Sequence, residues 1–75
     1  MLDHLPPRER EIVTLLYERG PLNPSAISAG LSESVSAQAV RSMLSRLEAK
    51  GFVSRRREGR SFVYAPKIPE TAARR

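Results

Sequence analysis

Apolar residues recur along this chain at a helical period in three places and then give way to the alternation of short strands. In the first place, Ile12, Leu15 and Leu16 form a stripe that Leu5 extends backwards and Val13 borders, the spacing of an amphipathic helix with one buried face. Pro6 and Pro7 suit its start, because proline fixes φ and its missing N–H is not needed in a first turn. Gly20 and Pro21 end it, glycine as a left-handed cap and proline because it cannot continue the hydrogen-bond ladder. The pattern predicts a helix over 5–20. Its alternating Arg8, Glu9, Arg10 and Glu11 read as a solvated, self-compensating face without a functional role.

Pro21-Leu22-Asn23 is long enough only for an extended link or a minimal strand that adds to a sheet edge. Asn23-Pro24 then starts a second helix, with a capping side chain followed by proline at the first helical position. It runs over 24–30, turns Ile27 and Leu31 inward, and carries a Gly30 that calls for close packing or a nearby cap. After the turn at 32–35, Ser36 is a preferred N-cap, and Val35 before it can pack on Val40 as a hydrophobic staple. The third helix, over 36–51, buries Val40, Met43, Leu44 and Leu47. At about 100° per residue, its other side carries Gln38, Ser42, Ser45 and Ala49, with Arg41 on one flank and Arg46 on the other. Small polar side chains between two arginines leave room for a flat anionic surface to come close.

Beyond Gly51 the period changes. Residues 52–56 and 61–65 are β-prone runs, and Glu58-Gly59 between them is a plausible tight turn. With those two residues as the loop, Arg57 faces Arg60, Arg55 faces Phe62 and Val53 faces Tyr64. Val53, Phe62 and Tyr64 then share the side that caps the helices, while Ser54, Arg56, Ser61 and Val63 point outward. Arg55, Arg56, Arg57 and Arg60 crowd the tip, where like charges opposite one another repel. A phosphate backbone would relieve that repulsion; an edge made basic to discourage strand addition is the lesser alternative. Pro66 ends the second run, and KIPETAARR reads as a basic tail over 67–75.

Composition narrows the function classes. The chain has 75 residues, no cysteine and one histidine, His4, so disulfides and cysteine-based zinc or redox sites are excluded, and His4 cannot build a metal site alone. No cofactor is expected. No apolar run reaches the roughly 18 residues of a membrane span, and the first ten residues lack the pattern of a signal peptide, so the expected location is the cytoplasm. There is no nucleophile beside a base, no paired carboxylate in an apolar setting and no phosphate loop, which argues against an enzyme. The net charge of +5 is segregated: residues 1–40 balance at −2, residues 41–60 at +5 and residues 61–75 at +2. Clustered positive charge is the footprint of a polyanion binder.

These elements in this order define a mostly α domain with a small β-hairpin, a winged helix-turn-helix of three helices plus wing over 1–66. Its expected partner is double-stranded DNA. The base-contact candidates are Ser36, Gln38, Ala39, Arg41, Ser42 and Ser45; the backbone candidates are Arg46, Lys50, Arg55, Arg56, Arg57 and Arg60. A protein-interaction or accessory module and a structured-RNA binder are the competing readings. The first has little need of four arginines around one turn, and the second lacks an exposed stacking platform. The assembly is expected to be a homodimer or part of a larger regulator.

Three stretches also resemble the penicillinase-repressor (BlaI/MecI/CopY) family of bacterial regulators. They are LPPREREIV at Leu5 to Val13, VRSMLSRLEAKGFV at Val40 to Val53, and EGRSFVY at Glu58 to Tyr64 ahead of Pro66. The resemblance covers residues 4–66 and implies a transcriptional repressor that binds its operator through the helix beginning at Ser36. The family tends to have threonines where this chain has Ala39 and Ser42, and a tryptophan at Tyr17, so no operator sequence is implied. Its usual C-terminal dimerisation region and the cysteines of its copper-responsive branch have no counterpart within these 75 residues.

Overall fold

A computed structural model describes residues 4–67. They form α1 (Pro7–Arg19), α2 (Pro24–Gly30), α3 (Ala37–Lys50), β1 (Val53–Glu58) and β2 (Ser61–Pro66). The tail expected over 67–75 lies, from residue 68 on, outside the described residues.

α1 starts two residues later than its apolar stripe. A residue that precedes proline is pushed out of the helical region, and Pro6, in front of Pro7, is extended at φ −54°, ψ 150°. Leu5 is buried all the same and joins the core. At the other end Gly20 has φ 83° and ψ −164°. That is not the left-handed helical cap expected from the sequence but the extended positive-φ region that only glycine occupies readily. Its N–H still closes the helix on the Leu16 carbonyl at 2.8 Å.

α2 has the predicted bounds. The Asn23 side chain accepts a hydrogen bond from the Ala26 N–H at 2.8 Å, satisfying one of the donors a helix start leaves over. Of the two explanations for Gly30, close packing holds: a Cβ there would lie 2.8 Å from Leu15 Cδ2, so glycine lets α2 approach α1. Ser36 caps α3, its Oγ accepting from the Ala39 N–H at 3.1 Å, and Val35 packs against the core beside it. Val40, Met43, Leu44 and Leu47 are buried as their spacing required.

The hairpin pairs differently from the expected register. Glu58 stands opposite Ser61, Arg57 opposite Phe62, Arg55 opposite Tyr64 and Val53 opposite Pro66, so the loop is Gly59-Arg60. The reason is backbone sterics. Gly59 has φ 64° and no other residue type among the described residues has positive φ, which fits a two-residue turn with glycine first and spares Glu58 a strained conformation. Partners shift by two residues, which preserves the facing of every side chain. Val53 and Tyr64 therefore still seal the helical core, and no two arginines stand directly opposite. Phe62 does not cap the core; it stays 39% exposed, with the Arg55 guanidinium over its ring.

Leu22 becomes the minimal strand allowed by the sequence. It bridges Tyr64 through two backbone hydrogen bonds of 3.0 and 2.8 Å, tying the link before α2 to β2. The core thus draws on every element, from Leu5, Ile12 and Leu16 through Ile27, Leu44 and Leu47 to Val53 and Tyr64.

Candidate nucleic-acid interface

α3 presents the polar face that its periodicity predicts. Gln38, Arg41, Ser42, Ser45 and Ala49 are all exposed along one side, while Ala39 is half-buried on the flank. Ser36 is exposed, but its hydroxyl already serves as the cap. Among the six base-contact candidates, the structure therefore brings Gln38, Arg41, Ser42 and Ser45 together on an open face.

The backbone candidates separate into two groups. Arg46 and Lys50 lean toward α1, where Arg46 Nε donates to Glu9 Oε2 at 2.9 Å and Lys50 Nζ to Glu9 Oε1 at 3.1 Å. Glu9 is 2% exposed. This corrects the reading of Glu9 as part of a solvated face: it lies four residues after Leu5 and three before Ile12, on the buried stripe itself. A charged residue in register with an apolar stripe was the available signal. The neighbouring charges are engaged too. Glu11 Oε2 accepts from the Ser32 backbone N–H at 2.7 Å, and Arg8 pairs with Glu33, so α1 is laced to the turn that sets the angle of α3.

Burial pushes the Glu9 carboxyl up, but hydrogen bonds and charge from Arg46 and Lys50 outweigh it and leave its pKa below the ordinary range. The Ser32 N–H holds Glu11 low in the same sense. Carboxylates depressed on folding contribute stability that is present above the unfolded pKa of about 4.3 and lost as pH falls through the folded value. Glu9→Gln is expected to lower stability at neutral pH and to flatten the acid limb of a stability–pH curve, leaving the share due to Glu11. Urea unfolding between about pH 3 and 7 checks this; an unchanged limb would remove Glu9 from the account.

The second group lies on the hairpin. Arg55 Nε pairs with Glu48 at 3.5 Å, and its guanidinium sits 4.9 Å from the centre of the Phe62 ring. Arg56 pairs with Glu58 at 3.3 Å, both side chains more than 60% exposed, which is worth little in water. Arg57 Nε donates to the Gly59 carbonyl at 3.2 Å. Arg41, Arg57 and Arg60 make no ion pair among the described residues. Between α2, the Arg41 flank of α3 and the hairpin lies an open cleft of about 430 Å³, with Asn23, Ser25, Ser45 and Phe62 in its walls. Sequence reasoning missed it, because nothing local announces that Asn23 and Ser25 come to lie beside the wing.

Three helices closed by a two-stranded wing, with an exposed polar face on the third helix and arginines on the hairpin, define a winged helix-turn-helix. Residues 5–75 match the family described as penicillinase repressor, and the chain belongs to that family. It is 32% identical over 65 residues to the penicillinase repressor of Bacillus licheniformis, covering 84% of this chain and 51% of that protein. The chain thus spans about half the length of the curated relative it matches. In three dimensions it resembles the solution structure of the DNA-binding domain of the repressor BlaI, with a TM-score of 0.76, 28% identity, and coverage of 96% of this chain and 90% of that one. A second similar structure is the monomeric form of Bacillus licheniformis BlaI in complex with the blaP half-operator, with a TM-score of 0.73, 27% identity and the same coverages. A third is the transcriptional regulator Tm0710 from Thermotoga maritima, with a TM-score of 0.75, 26% identity, and coverage of 84% of this chain and 45% of that one.

Proposed function

We propose that this domain binds double-stranded operator DNA as a transcriptional repressor in the bacterial cytoplasm, at the nucleoid, with α3 in the major groove and the hairpin on the adjacent backbone. The observation that carries this reading is the open strip of Gln38, Ser42 and Ser45 on α3 continued by the arginine-bearing hairpin. The BlaI half-operator complex supports it through the likeness of the whole fold. Gln38 has the length and the paired donor and acceptor to read adenine, and Ser42 reaches base edges or sugar. Ala39 supplies apolar contact at the flank, and Ser36 donates from the start of the helix. Arg56, Arg57 and Arg60 bind phosphates. Glu9 takes Nε of Arg46, which leaves the outer edge of that guanidinium for a phosphate; Lys50 adds charge behind it.

One module reads one half-site. Two copies on a palindrome, with half-sites about one helical turn apart, would supply the affinity and spacing selectivity of a repressor. Sedimentation with and without a palindromic duplex is expected to show two copies on the DNA.

Titration into duplex DNA at several salt concentrations tests the main reading, since log affinity should fall linearly with log salt. An affinity independent of salt overturns it. Gln38→Ala is expected to relax preference at one base pair by about 1–3 kcal/mol while leaving the salt slope unchanged, measured by binding to a set of single-substitution duplexes. Equal loss on every sequence would remove Gln38 from base reading. Competition by RNA duplex of equal length separates the DNA reading from an RNA one.

A further inference from the structure

The two flanks of α3 are electrostatically unlike, and the difference points to a phosphate site. On the α1 side, the buried Glu9 takes up Arg46 and Lys50. On the other side, Arg41 meets Arg55 and Arg60 across the cleft, together with the hydroxyls of Ser25, Ser45 and Ser61, and no carboxylate lines the walls. Arg41 and Arg60 are exposed and have no ion-pair partner among the described residues. Arg55 is held in place from two sides, by Glu48 at 3.5 Å and by the face of Phe62 at 4.9 Å, so less side-chain freedom is lost when it grips a ligand.

We propose that this cleft receives one backbone phosphate of the bound duplex, and that Arg41 belongs to it rather than to base reading. The proposal rests on the DNA-binding reading above and refines its contacts. Shape supports it. A phosphate protrudes from the duplex and enters a concavity, whereas base edges form the floor of a groove and meet the outermost strip of a helix. Gln38 lies on that strip; Arg41 is turned about 60° from it toward the wing. Chemistry supports it too, because guanidinium forks and hydroxyl donors select a phosphoryl anion, and the nearby carboxylate of Glu48 engages Arg55 but neither Arg41 nor Arg60. Phe62 closes the site with an apolar wall against which a deoxyribose can lie. The link through Leu22 and Tyr64 holds Ser25 beside β2, so the concavity exists before DNA arrives.

The test uses the full chain and a short duplex selected for binding from a random pool, resynthesised with one neutral methylphosphonate linkage at a time. One linkage is expected at which neutralisation weakens the wild type roughly tenfold and the Arg41→Ala and Arg60→Ala variants by clearly less, since each has already lost one of the guanidiniums that meet there. Arg41→Ala on unmodified duplexes should lose affinity equally on all sequences and reduce the salt slope by about one. Both residues are exposed, so unchanged thermal unfolding of the variants is expected and serves as the control for folding. Relaxed preference at one base pair with an unchanged slope for Arg41→Ala would overturn the proposal while leaving DNA binding intact. Absence of salt-dependent binding by the wild type would overturn both. Inorganic phosphate is expected to displace the duplex no better than chloride at equal ionic strength; saturable displacement at low concentration would make the cleft a free-anion site and overturn the backbone assignment.

Discussion

Replacing Arg56, Arg57 and Arg60 together by alanine is expected to lower duplex affinity by roughly two to three orders of magnitude near 0.1 M salt and to reduce the salt slope by about three. The three residues are exposed on the hairpin. The only ion pair they make among the described residues, Arg56 to Glu58, is solvent-exposed and worth little, so their charge is available to a polyanion and their loss should not unfold the domain. Each phosphate neutralised releases about 0.9 counterion, which makes the slope a count of contacts independent of absolute affinity. The loss should be the same for selected and unselected duplexes, since phosphates carry no sequence information. A slope equal to that of the wild type would take the wing off the DNA backbone.

The largest effect on stability is expected at Leu44. This residue is completely buried and lies on the inner face of the helix whose outer face is proposed to meet DNA. Leu44→Ala removes transfer free energy and leaves a cavity, together about 2–5 kcal/mol. In a domain this small each kilocalorie corresponds to about 4–8 °C in Tm, so the variant should melt roughly 8–40 °C lower. The core of a 75-residue chain has little redundancy, and no disulfide is available to compensate. Differential scanning calorimetry of the variant checks this, and a fall of only a few degrees would mean that neighbouring side chains collapse into the space. Binding should weaken with the folded fraction, whereas the salt slope of the molecules that remain folded should not change. That separates the core residue from the wing arginines.

Much of the molecule was legible because its signals are local. The bounds of α2 follow from Asn23-Pro24 and Gly30. The start of α3 follows from Ser36, and its buried face from Val40, Met43, Leu44 and Leu47 at helical spacing. The hairpin was legible in existence and facing but not in register, since two loops one residue apart give the same alternation. The choice fell to Gly59, whose positive φ suits the first loop position. Glu9 was misread because a run of alternating Arg and Glu looks solvated one residue at a time. Only its position on the stripe from Leu5 through Ile12 to Leu16 distinguishes it from Glu11, and its cationic partners lie 37 and 41 residues away.

By itself, then, the sequence determined the order of the elements, the amphipathic face of α3 and the segregation of positive charge to its second half, because these depend on propensity, capping and spacing within a few residues. Only the tertiary structure decided which flank of α3 keeps its charge. Packing α1 against one side buries Glu9, and a charge withdrawn from water must be met by others, so Arg46 and Lys50 are drawn toward it. The bridge from Leu22 to Tyr64 sets the wing against the opposite side, where Glu48 engages Arg55 but leaves Arg41 and Arg60 without an ion pair among the described residues. Arg41, Arg55 and Arg60 converge there across a cleft built from four separate parts of the chain. Neighbours so far apart in sequence are brought together by burial of the shared core, a condition on the whole fold that no local pattern expresses.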